Sequence, residues 1–237
     1  MEYYYHPDIF TDHIKLSPEE SKHLKVLHRK KEDKVLVSDG KGSIAKAVVM
    51  SIEKDGVLLS VTERKTEERS RNFTLHIAIA PTKNRDRIEW FVEKAVEIGI
   101  ERITLIICEH SERPRIDMAR LERIAVSAMK QSQTAWLPEM NCCTFIDFMQ
   151  HIPDTGDKFI AWCGMDSLTE QLFQVPVHSQ NITILIGPEG DFSSKEIELA
   201  KKHHFQEVLL GNKRLRTETA GVYACAVMAA RMSHYSA

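Results

Sequence analysis

The 237-residue sequence predicts an α/β protein with a small β-rich N-terminal domain, residues 1–70, and a larger C-terminal domain, residues 71–237. Short β-branched runs separated by Asp-Gly pairs occupy the first part of the chain. After residue 72, apolar runs alternate with amphipathic helical segments, which is typical of a parallel sheet covered on both faces. Between these parts, residues 63–72 (ERKTEERSRN) contain no aliphatic side chain, which predicts a solvated linker or a charged strand end.

The N-terminal part is predicted to contain one helix followed by hairpin strands. Residues 17–20 (SPEE) supply a serine N-cap, a proline for the first helical position and a capping-box glutamate. The following strand runs are interrupted at Asp39-Gly40 and Asp55-Gly56, a hairpin signature that predicts a small antiparallel barrel. Three consecutive tyrosines at positions 3–5 fit an edge strand of that barrel, and stacking on nucleic-acid bases is the alternative.

The C-terminal part is predicted to alternate strands with helices. The expected strands are FTLHIAIA, ITLIIC, KFIAWC, NITILI and EVLLG. The segment DRIEWFVEKAVEIG forms an amphipathic helix that Gly99 ends, since glycine readily adopts the left-handed conformation of a helix C-terminus. Further helices are expected at residues 117–136, near Leu168, from Ser194 and from Thr217.

Composition narrows the class of protein. Hydrophobic residues make up 43% of the chain and charged residues 28%, as in an ordinary soluble globular protein. No apolar run approaches the roughly 18 residues of a membrane span, and the N-terminus lacks the basic and apolar regions of a signal peptide. A cytoplasmic location is therefore expected. The net charge of −2 does not indicate a nucleic-acid binder, so any such function must depend on local patches.

The cysteines predict free thiols rather than a disulfide framework. There are five, an odd number, and no pair has the CxxC spacing. Cys108 and His110 are close in sequence, but the spacing fits no zinc finger or ribbon, so no metal site is expected.

Two loops in the C-terminal part have the composition of a ligand site. GPEGD (residues 187–191) and GNKRLR (residues 211–216) each follow a predicted strand. In open α/β sheets, ligands lie beyond the carboxyl ends of the strands, and glycine permits close backbone approach. Either loop alone is an ordinary turn signal, and the dinucleotide and P-loop motifs GxGxxG and GxxxxGK[ST] are missing. The pair of loops is the more specific indication of a site.

The helix after the second loop is unusual because it is apolar on nearly every side. Thr217 fits its N-cap and Glu218 favours its first turn, whereas TAGVYACAVMAA leaves no evident polar face. Such a helix is expected to be buried in a core or against a partner.

Four segments of the sequence resemble those of a known family. IGPEGDFSSKE and LLGNKRLRTETAGVYA, with KNRDRIEWFVEKAVEIGIERI and AMKQSQTAWLPEM before them, resemble the RsmE family of 16S ribosomal RNA uracil-N3 methyltransferases, within the SPOUT superfamily. The resemblance covers most of residues 17–230. It implies a PUA-like barrel and a C-terminal domain with a trefoil knot. It also implies S-adenosylmethionine as methyl donor, 16S rRNA as substrate and a homodimeric assembly. The family usually has a second glycine where this chain has Asp191.

The resemblance also assigns the site residues. It places both loops in the cofactor pocket, with Glu189 either bonding loop amides or facing the ligand. From the chemistry of the implied reaction, Glu218 is the candidate base or base-orienting residue, with simple helix N-terminal electrostatics as the alternative, and Arg216 is the candidate stabiliser of charge on a uracil oxygen. The predicted cofactor-binding residues are Ile186, Gly187, Glu189, Gly190, Leu210, Gly211, Leu215 and Arg216.

Cations that could hold RNA phosphates form two groups. KHLKVLHRKK contains no acidic residue, and Lys22, Lys25 and Arg29 would share one helical face, with Lys30 beside them. Arg85 and Arg87 follow the first strand of the C-terminal part, near the expected ligand edge. A solvated helix face explains the first group equally well. The function predicted is methylation of uracil N3 in 16S rRNA; a knotted methyltransferase with another RNA target, or a catalytically silent RNA-binding or ribosome-assembly factor, is the alternative.

Overall fold

The computed structural model describes residues 2–69, 73–112, 116–162 and 169–232. The chain forms two compact units, Met1–Ser70 with Val126–Leu137, and Arg71–Ala125 with Pro138–Ala237. The units change at residue 70, where the sequence suggests a domain boundary. Residues 126–137, which the sequence suggests are part of the C-terminal domain, belong instead to the first unit.

The first unit contains a five-stranded sheet with strand order β1-β3-β4-β5-β2, one complete helix and the end of a second helix, residues 126–132. The β1–β3 pair is parallel and the other pairs are antiparallel. The tyrosine strand lies at one edge of the sheet, as predicted, and Tyr4 is fully buried in an apolar cluster with Leu24 of the helix. The elements are β1 (Tyr3–Tyr5), β2 (His13–Lys15), α1 (Pro18–Val26), β3 (Lys34–Ser38), β4 (Ser43–Glu53) and β5 (Gly56–Thr66).

Helix α1 ends before Arg29, which was predicted to lie on its basic face. Ser17 Oγ accepts the N–H of Glu20, which confirms the N-cap. The helix ends at Val26, with Leu27 as C-cap, and His28 takes a left-handed φ of 54°. Arg29 therefore lies beyond the helix, and the predicted single helical face that includes it is wrong.

The segment after residue 132 packs on a glycine turn of the first unit. The N–H of Gly42 donates to the carbonyl of Ala135 at 2.9 Å, and the N–H of Leu137 donates to the carbonyl of Gly40 at 2.9 Å. Gly42 has a φ of 98°, and a Cβ built there would lie 2.3 Å from the ring of Trp136. A side chain at position 42 is thus excluded both by the backbone conformation and by the indole.

The second unit is a six-stranded sheet with strand order β11-β9-β10-β6-β7-β8, and all its pairs are parallel. Helix α3 begins in this unit and ends in the first. The elements are β6 (Thr74–Ile79), α2 (Arg85–Ile98), β7 (Arg102–Ile107), α3 (Met118–Ser132), β8 (Glu139–Thr144), α4 (Phe145–His151), β9 (Asp157–Ala161), β10 (Asn181–Ile186), α5 (Ser194–Lys202), β11 (Gln206–Val208) and α6 (Thr217–Met232).

Helices cover both faces of this sheet, as the apolar strands predict. Successive strand residues point to opposite faces. Ala78 packs in a cluster with residues of α4 and α5, whereas its neighbour Ile79 faces α2 and α6. A Cβ on Gly221 of α6 would lie 2.6 Å from the ring of Phe91, so glycine permits the close approach of α6 to α2. Gly99 ends α2 with a φ of 94°, as predicted.

The prediction missed one strand and one helix of this unit. Strand β8 and helix α4 come from EMNCCT and FIDFMQH, where no apolar run marks a strand and the helix has only seven residues. The predicted helix 117–136 ends earlier, at Ser132. The helix predicted near Leu168 lies outside the described residues. The strand order alone does not test the predicted trefoil knot, which stays a prediction.

His76 on β6 should make the second unit sensitive to acid. Burial lowers the pKa of His76 to about 4, and nearby Arg102 adds to the effect. The imidazole lies 2.8 Å from the Thr104 hydroxyl. Since an unfolded histidine has a pKa near 6.5, the unfolded state takes up the proton first, and stability falls as pH drops from about 6.5 to about 4.

The expected loss is at most about 3 kcal/mol in the free energy of unfolding. Urea denaturation between pH 7 and pH 4 measures it. The difference between wild type and His76→Gln should shrink by that amount over this range. A difference that does not change with pH would contradict the assignment.

Candidate functional site

A cavity of about 440 Å³ lies at the carboxyl ends of β9, β10 and β11 and at the start of α6. This volume is within the range of small-molecule sites, and the position is the one that open α/β sheets use for ligands. Both glycine loops line it. The lining residues are Arg87, Ala161, Trp162, Ile186, Gly187, Pro188, Glu189, Asp191, Val208, Leu209, Leu210, Gly211, Lys213, Arg214, Leu215, Arg216, Thr217 and Ala220.

The first loop turns at Asp191 and not at its glycines. Asp191 has a φ of 64°, and its N–H donates to the carbonyl of Pro188 at 2.9 Å. Aspartate tolerates this conformation better than most residues, which accounts for Asp191 at a position where glycine would also fit. Gly187 is small because a Cβ there would lie 3.1 Å from the ring of Phe192.

Gly190 supports the loop from behind. Of the described residues, it is not among those that line the cavity. A Cβ at Gly190 would lie 3.1 Å from the Cβ of His110, whose Nδ1 lies 3.0 Å from the carbonyl oxygen of Asp191. The structure therefore gives Gly190 a packing role against His110, and its contact with the cofactor stays a prediction.

The capping box after the first loop forms as predicted, and it does more than begin α5. Ser193 and Glu196 exchange side-chain and backbone hydrogen bonds. The second carboxylate oxygen of Glu196 accepts the N–H of Glu109 at 2.9 Å. This buried glutamate thus joins the segment after β7 to the base of the first loop.

The second loop, residues 211–216, is held by the segment around Gln171, which has no local signal in the sequence. Gly211 has a φ of 108°, and its N–H donates to Oε1 of Gln171 at 2.8 Å. The segment around Gln171 is fixed in turn by Arg231 of α6, whose guanidinium donates to the carbonyls of Leu172 and Val175. No periodic pattern in the sequence marks these contacts, since they join residues about 40 and 60 positions apart.

The start of α6 is tied directly to the first loop. Thr217 is the first helical residue, and its hydroxyl donates to the carbonyl of Gly187 at 3.1 Å. The N–H of Ala220 donates to the carbonyl of Arg216 at 2.8 Å. Arg216 therefore occupies the cap position, and the prediction that Thr217 is the N-cap is wrong by one residue.

Charged side chains converge beside the cavity. Arg87 of α2 has Nε 3.7 Å from Oε1 of Glu218 and Nη1 4.0 Å from Oε1 of Glu189. Arg214 donates to the carbonyl of Glu189 at 3.2 Å. Glu218 is buried, and its Oε2 has no hydrogen-bond donor among the described residues.

The structure brings most of the predicted site residues together. Except for Gly190, the predicted cofactor-binding residues all line the cavity, and they include Arg216, the candidate stabiliser of charge. Glu218 lies behind the wall, in the first turn of α6. Of the two arginines predicted to contact RNA, Arg87 lies in the cavity wall between two carboxylates, and Arg85 is exposed.

The predicted basic group of the first unit is partly engaged within the protein. Lys22 and Lys30 are exposed. Lys25 donates from Nζ to the carbonyl of Glu53 at 2.6 Å, and Arg29 pairs with Glu2 at 2.6 Å. Since an engaged cation is less free to bind phosphate, Lys22 and Lys30 are the better candidates.

Neither a membrane-spanning helix nor a metal-binding cluster is present in the described parts of the chain. No helix there is long and apolar enough to cross a membrane. No group of three or more histidine, cysteine, aspartate or glutamate side chains in those parts could hold a metal ion.

Comparison with known proteins finds two family models that match this chain. A family described as RNA methyltransferase domain matches residues 69–229, and one described as RNA methyltransferase PUA domain matches residues 16–62. The ribosomal RNA small subunit methyltransferase E of Bacillus subtilis is 26% identical over 222 residues, covering 88% of this chain and 86% of the relative. Methyltransferase E 2 of Borreliella burgdorferi is 30% identical over 173 residues, covering 70% of this chain and 69% of the relative.

Solved structures of rRNA methyltransferases superpose on this chain over nearly its whole length. A probable rRNA-methyltransferase from Porphyromonas gingivalis superposes with a TM-score of 0.91 at 38% identity, covering 99% of this chain and 100% of the other. The ribosomal RNA small subunit methyltransferase E of Neisseria gonorrhoeae, bound to S-adenosyl methionine, superposes with a TM-score of 0.84 at 26% identity, covering 96% of each chain. The RNA methyltransferase domain model matches more than half of this chain, and the relative from Borreliella burgdorferi is 30% identical to it. The chain therefore belongs to the family of the ribosomal RNA small subunit methyltransferases E.

Proposed function

We propose that this protein transfers a methyl group from S-adenosylmethionine to N3 of a uridine in 16S ribosomal RNA. The observation that carries the proposal is the cavity at the strand ends, because two glycine loops and the start of α6 build it together. A relative of the same fold binds S-adenosyl methionine. A ribosomal RNA substrate implies that the protein works in the cytoplasm, and the chemistry requires no metal ion.

The cavity walls suit a nucleoside cofactor. A Cβ built on Gly211 would meet nothing within 4 Å, so glycine keeps free the space that a side chain would fill. Ile186, Leu210 and Leu215 supply apolar walls, and loop carbonyls and amides supply polar edges. Such a mixture of apolar surface and a few fixed polar groups is typical of small-molecule sites. Glu189 pairs with Arg87 at the rim, which supports its role in holding the loop.

The bound cofactor would supply an electrophilic methyl group, and the protein would align the acceptor and remove its proton. Uracil N3 carries a proton that must leave, and a positioned base contributes about 10²–10⁴-fold. Glu218 is the candidate base, since one of its carboxylate oxygens is buried without a donor among the described residues. Arg216 lines the cavity and would stabilise negative charge on a uracil oxygen.

Mass spectrometry of nucleosides from 16S rRNA tests the function directly. Cells that lack this protein should lose one 3-methyluridine, and the wild-type gene should restore it. The Glu218→Gln gene should not restore it. If the modification is unchanged in the deletion strain, the assigned reaction is wrong. If ribosome assembly is defective and Glu218→Gln corrects it fully, the protein is an assembly factor instead.

The first unit is proposed to bind the RNA, with Lys22 and Lys30 contacting phosphates. The double variant Lys22→Gln/Lys30→Gln should bind RNA more weakly. It should also reduce the slope of log affinity against log salt concentration by about 0.7–0.9 for each lost contact. Fluorescence anisotropy at several salt concentrations measures both quantities.

Lys15→Gln is the matched control, because Lys15 is an exposed lysine of the same unit that is paired with Asp55 at 2.8 Å. Its salt slope should equal that of the wild type. An equal slope in the double variant as well would remove this surface from RNA binding.

The protein is also proposed to form a homodimer through the outer face of α6. Gly221, Ala224, Cys225 and Met228 are buried, but the opposite side of the helix remains at least partly exposed although it is apolar. Such a face favours association with a second copy. Its residues are Val222, Tyr223, Ala226, Val227 and Ala230.

Sedimentation equilibrium at micromolar concentration should show a dimer, and Ala226→Glu should shift it towards the monomer. Lys195→Gln, on the exposed surface of α5, provides a control with the same change of −1 in charge. A wild-type monomer under these conditions would contradict the proposed dimer.

A further inference from the structure

Arg87 lies where three elements of the second unit meet. It belongs to the first turn of α2, whereas Glu189 is in the first loop and Glu218 is in the first turn of α6. Its Nε is 3.7 Å from one carboxylate and its Nη1 is 4.0 Å from the other. A single guanidinium thus spans the two carboxylates that flank the proposed site.

Burial makes the contact with Glu218 the more important of the two. The side chain of Glu218 is 8% exposed, against 40% for Glu189. A buried carboxylate without a compensating cation is strongly unfavourable. Arg87 is the cation paired with Glu218 in the described structure, and its own side chain is 34% exposed.

The geometry leaves room for this contact to tighten. Distances of 3.7 and 4.0 Å are ion-pair contacts that exceed normal hydrogen-bond length. Apo sites often have long contacts of this kind that shorten when substrate binds. A planar guanidinium can address two carboxylates at fixed angles, which a lysine ammonium cannot do.

We infer that Arg87 is a positioning residue, which orients Glu218 for proton removal and joins the first loop to α6. This inference rests on the proposed methyl transfer and replaces the predicted role of Arg87 as an RNA phosphate contact. The bond that Glu218 would break is uracil N3–H: its carboxylate would take the proton, and the N3 electron pair would form the new bond to the methyl carbon. The methyl–sulfur bond of the donor would break in the same step, with its electron pair kept by the sulfur of the departing S-adenosylhomocysteine. Arg87 exchanges no proton in this step.

Arg85 provides the internal comparison. It lies two residues earlier on the same helix, it is exposed, and it has no side-chain partner within the described ranges. A phosphate contact from this helix would therefore come from Arg85. The two roles give opposite results when RNA binding and methyl transfer are measured separately.

The experiment compares Arg87→Gln, Arg87→Lys and Arg85→Gln in the full-length protein. Single-turnover methylation of 16S rRNA at saturating RNA and cofactor gives the rate, and anisotropy at several salt concentrations gives RNA affinity. Arg87→Gln should lower the rate by about 10–100-fold and leave the RNA dissociation constant and its salt slope unchanged. Arg87→Lys should recover part of the rate, because it keeps the charge without the fork. Arg85→Gln should weaken RNA binding and reduce the salt slope.

Two further variants separate positioning from general damage. Lys94→Gln removes a cation from α2 that pairs with Glu93 and Glu97 away from the cavity, and it should match the wild type in both measurements. In the Glu218→Gln background, Arg87→Gln should cause little further loss of rate, since residues that act through one another are not additive. The double variant has no carboxylate at position 218, so no buried charge is left without a cation. Glu218→Gln can therefore be compared with the double variant even if Arg87→Gln alone unfolds.

The results that would overturn the inference are specific. A wild-type rate in Arg87→Gln, or weaker RNA binding with a reduced salt slope in that variant, would refute the positioning role alone. Rate losses that multiply in the double variant would refute it as well. No methyl transfer by the wild-type protein would refute the proposed function, and the inference with it.

Discussion

Glu218→Gln is expected to slow single-turnover methylation by about 10²–10⁴-fold while RNA and cofactor still bind. The amide cannot accept the N3 proton, but it keeps the shape of the buried side chain. Alignment of donor and acceptor, which contributes roughly 7–11 kcal/mol, is retained, so the variant should remain active at a low level. Rapid-quench measurement of methylated RNA gives the rate.

The pH dependence of that residual activity distinguishes a base from a helix-start carboxylate. Activity of Glu218→Gln should rise at high pH, because uracil N3 then ionises without assistance. A second control is Glu198→Gln on α5, an exposed glutamate outside the cavity lining, which should have the wild-type rate. Full activity of Glu218→Gln at neutral pH would leave Glu218 with only an electrostatic role at the start of α6.

Gly211→Val should abolish measurable cofactor binding, which corresponds to a loss of at least about 100-fold in affinity, or roughly 2.7 kcal/mol. Two effects act in the same direction. The φ of 108° is unfavourable for a β-branched residue, and the new side chain would occupy the open space beside the loop. Because nothing outside residues 210–212 lies within 4 Å of the new Cβ, the variant should still fold. Calorimetric titration with S-adenosylmethionine measures the affinity.

Gly211→Asn separates the two effects. Asparagine adopts positive φ more readily than valine, so this variant should retain more of the loop conformation while still adding a side chain. Recovery of binding in Gly211→Asn would identify backbone conformation as the cause of the loss in Gly211→Val. Unchanged affinity in Gly211→Val itself would remove the second loop from the cofactor site.

The sequence predicted those parts of the fold that have a local signal. The buried strands β6, β7 and β10 are continuous apolar runs, and the ends of α2 and α5 have their own glycine and capping-box residues. Strand β8 was missed because it lies at the edge of the sheet and is largely exposed, so its residues were not selected for burial. An edge strand needs neither an apolar run nor a strict alternation.

The site was predicted where backbone flexibility marked it and was missed where long-range contacts formed it. Gly187 and Gly211 indicated the two loops. Gln171, which binds the N–H of Gly211, lies in a segment without periodic pattern. Arg87 lies in the predicted helix α2, but no pattern in the sequence indicates its pairing with Glu218. Only the fold brings them to the loops. Gly190 was predicted as part of the first loop, but its packing against His110 joins residues 80 positions apart and has no local signal either.

Residues 126–137 belong to the first unit although they follow much of the second unit in sequence, and this limits where the protein can be cut into folded fragments. A fragment cut near residue 70 would lose Trp136, whose ring packs on Gly42, and Lys130, whose ammonium group pairs with buried Glu20. The glycine turn would then be exposed, and a buried carboxylate would have no counter-charge. A stable minimal RNA-binding fragment therefore needs a graft of the 126–137 segment, and modular exchange between relatives at a single junction would separate partners that fold together.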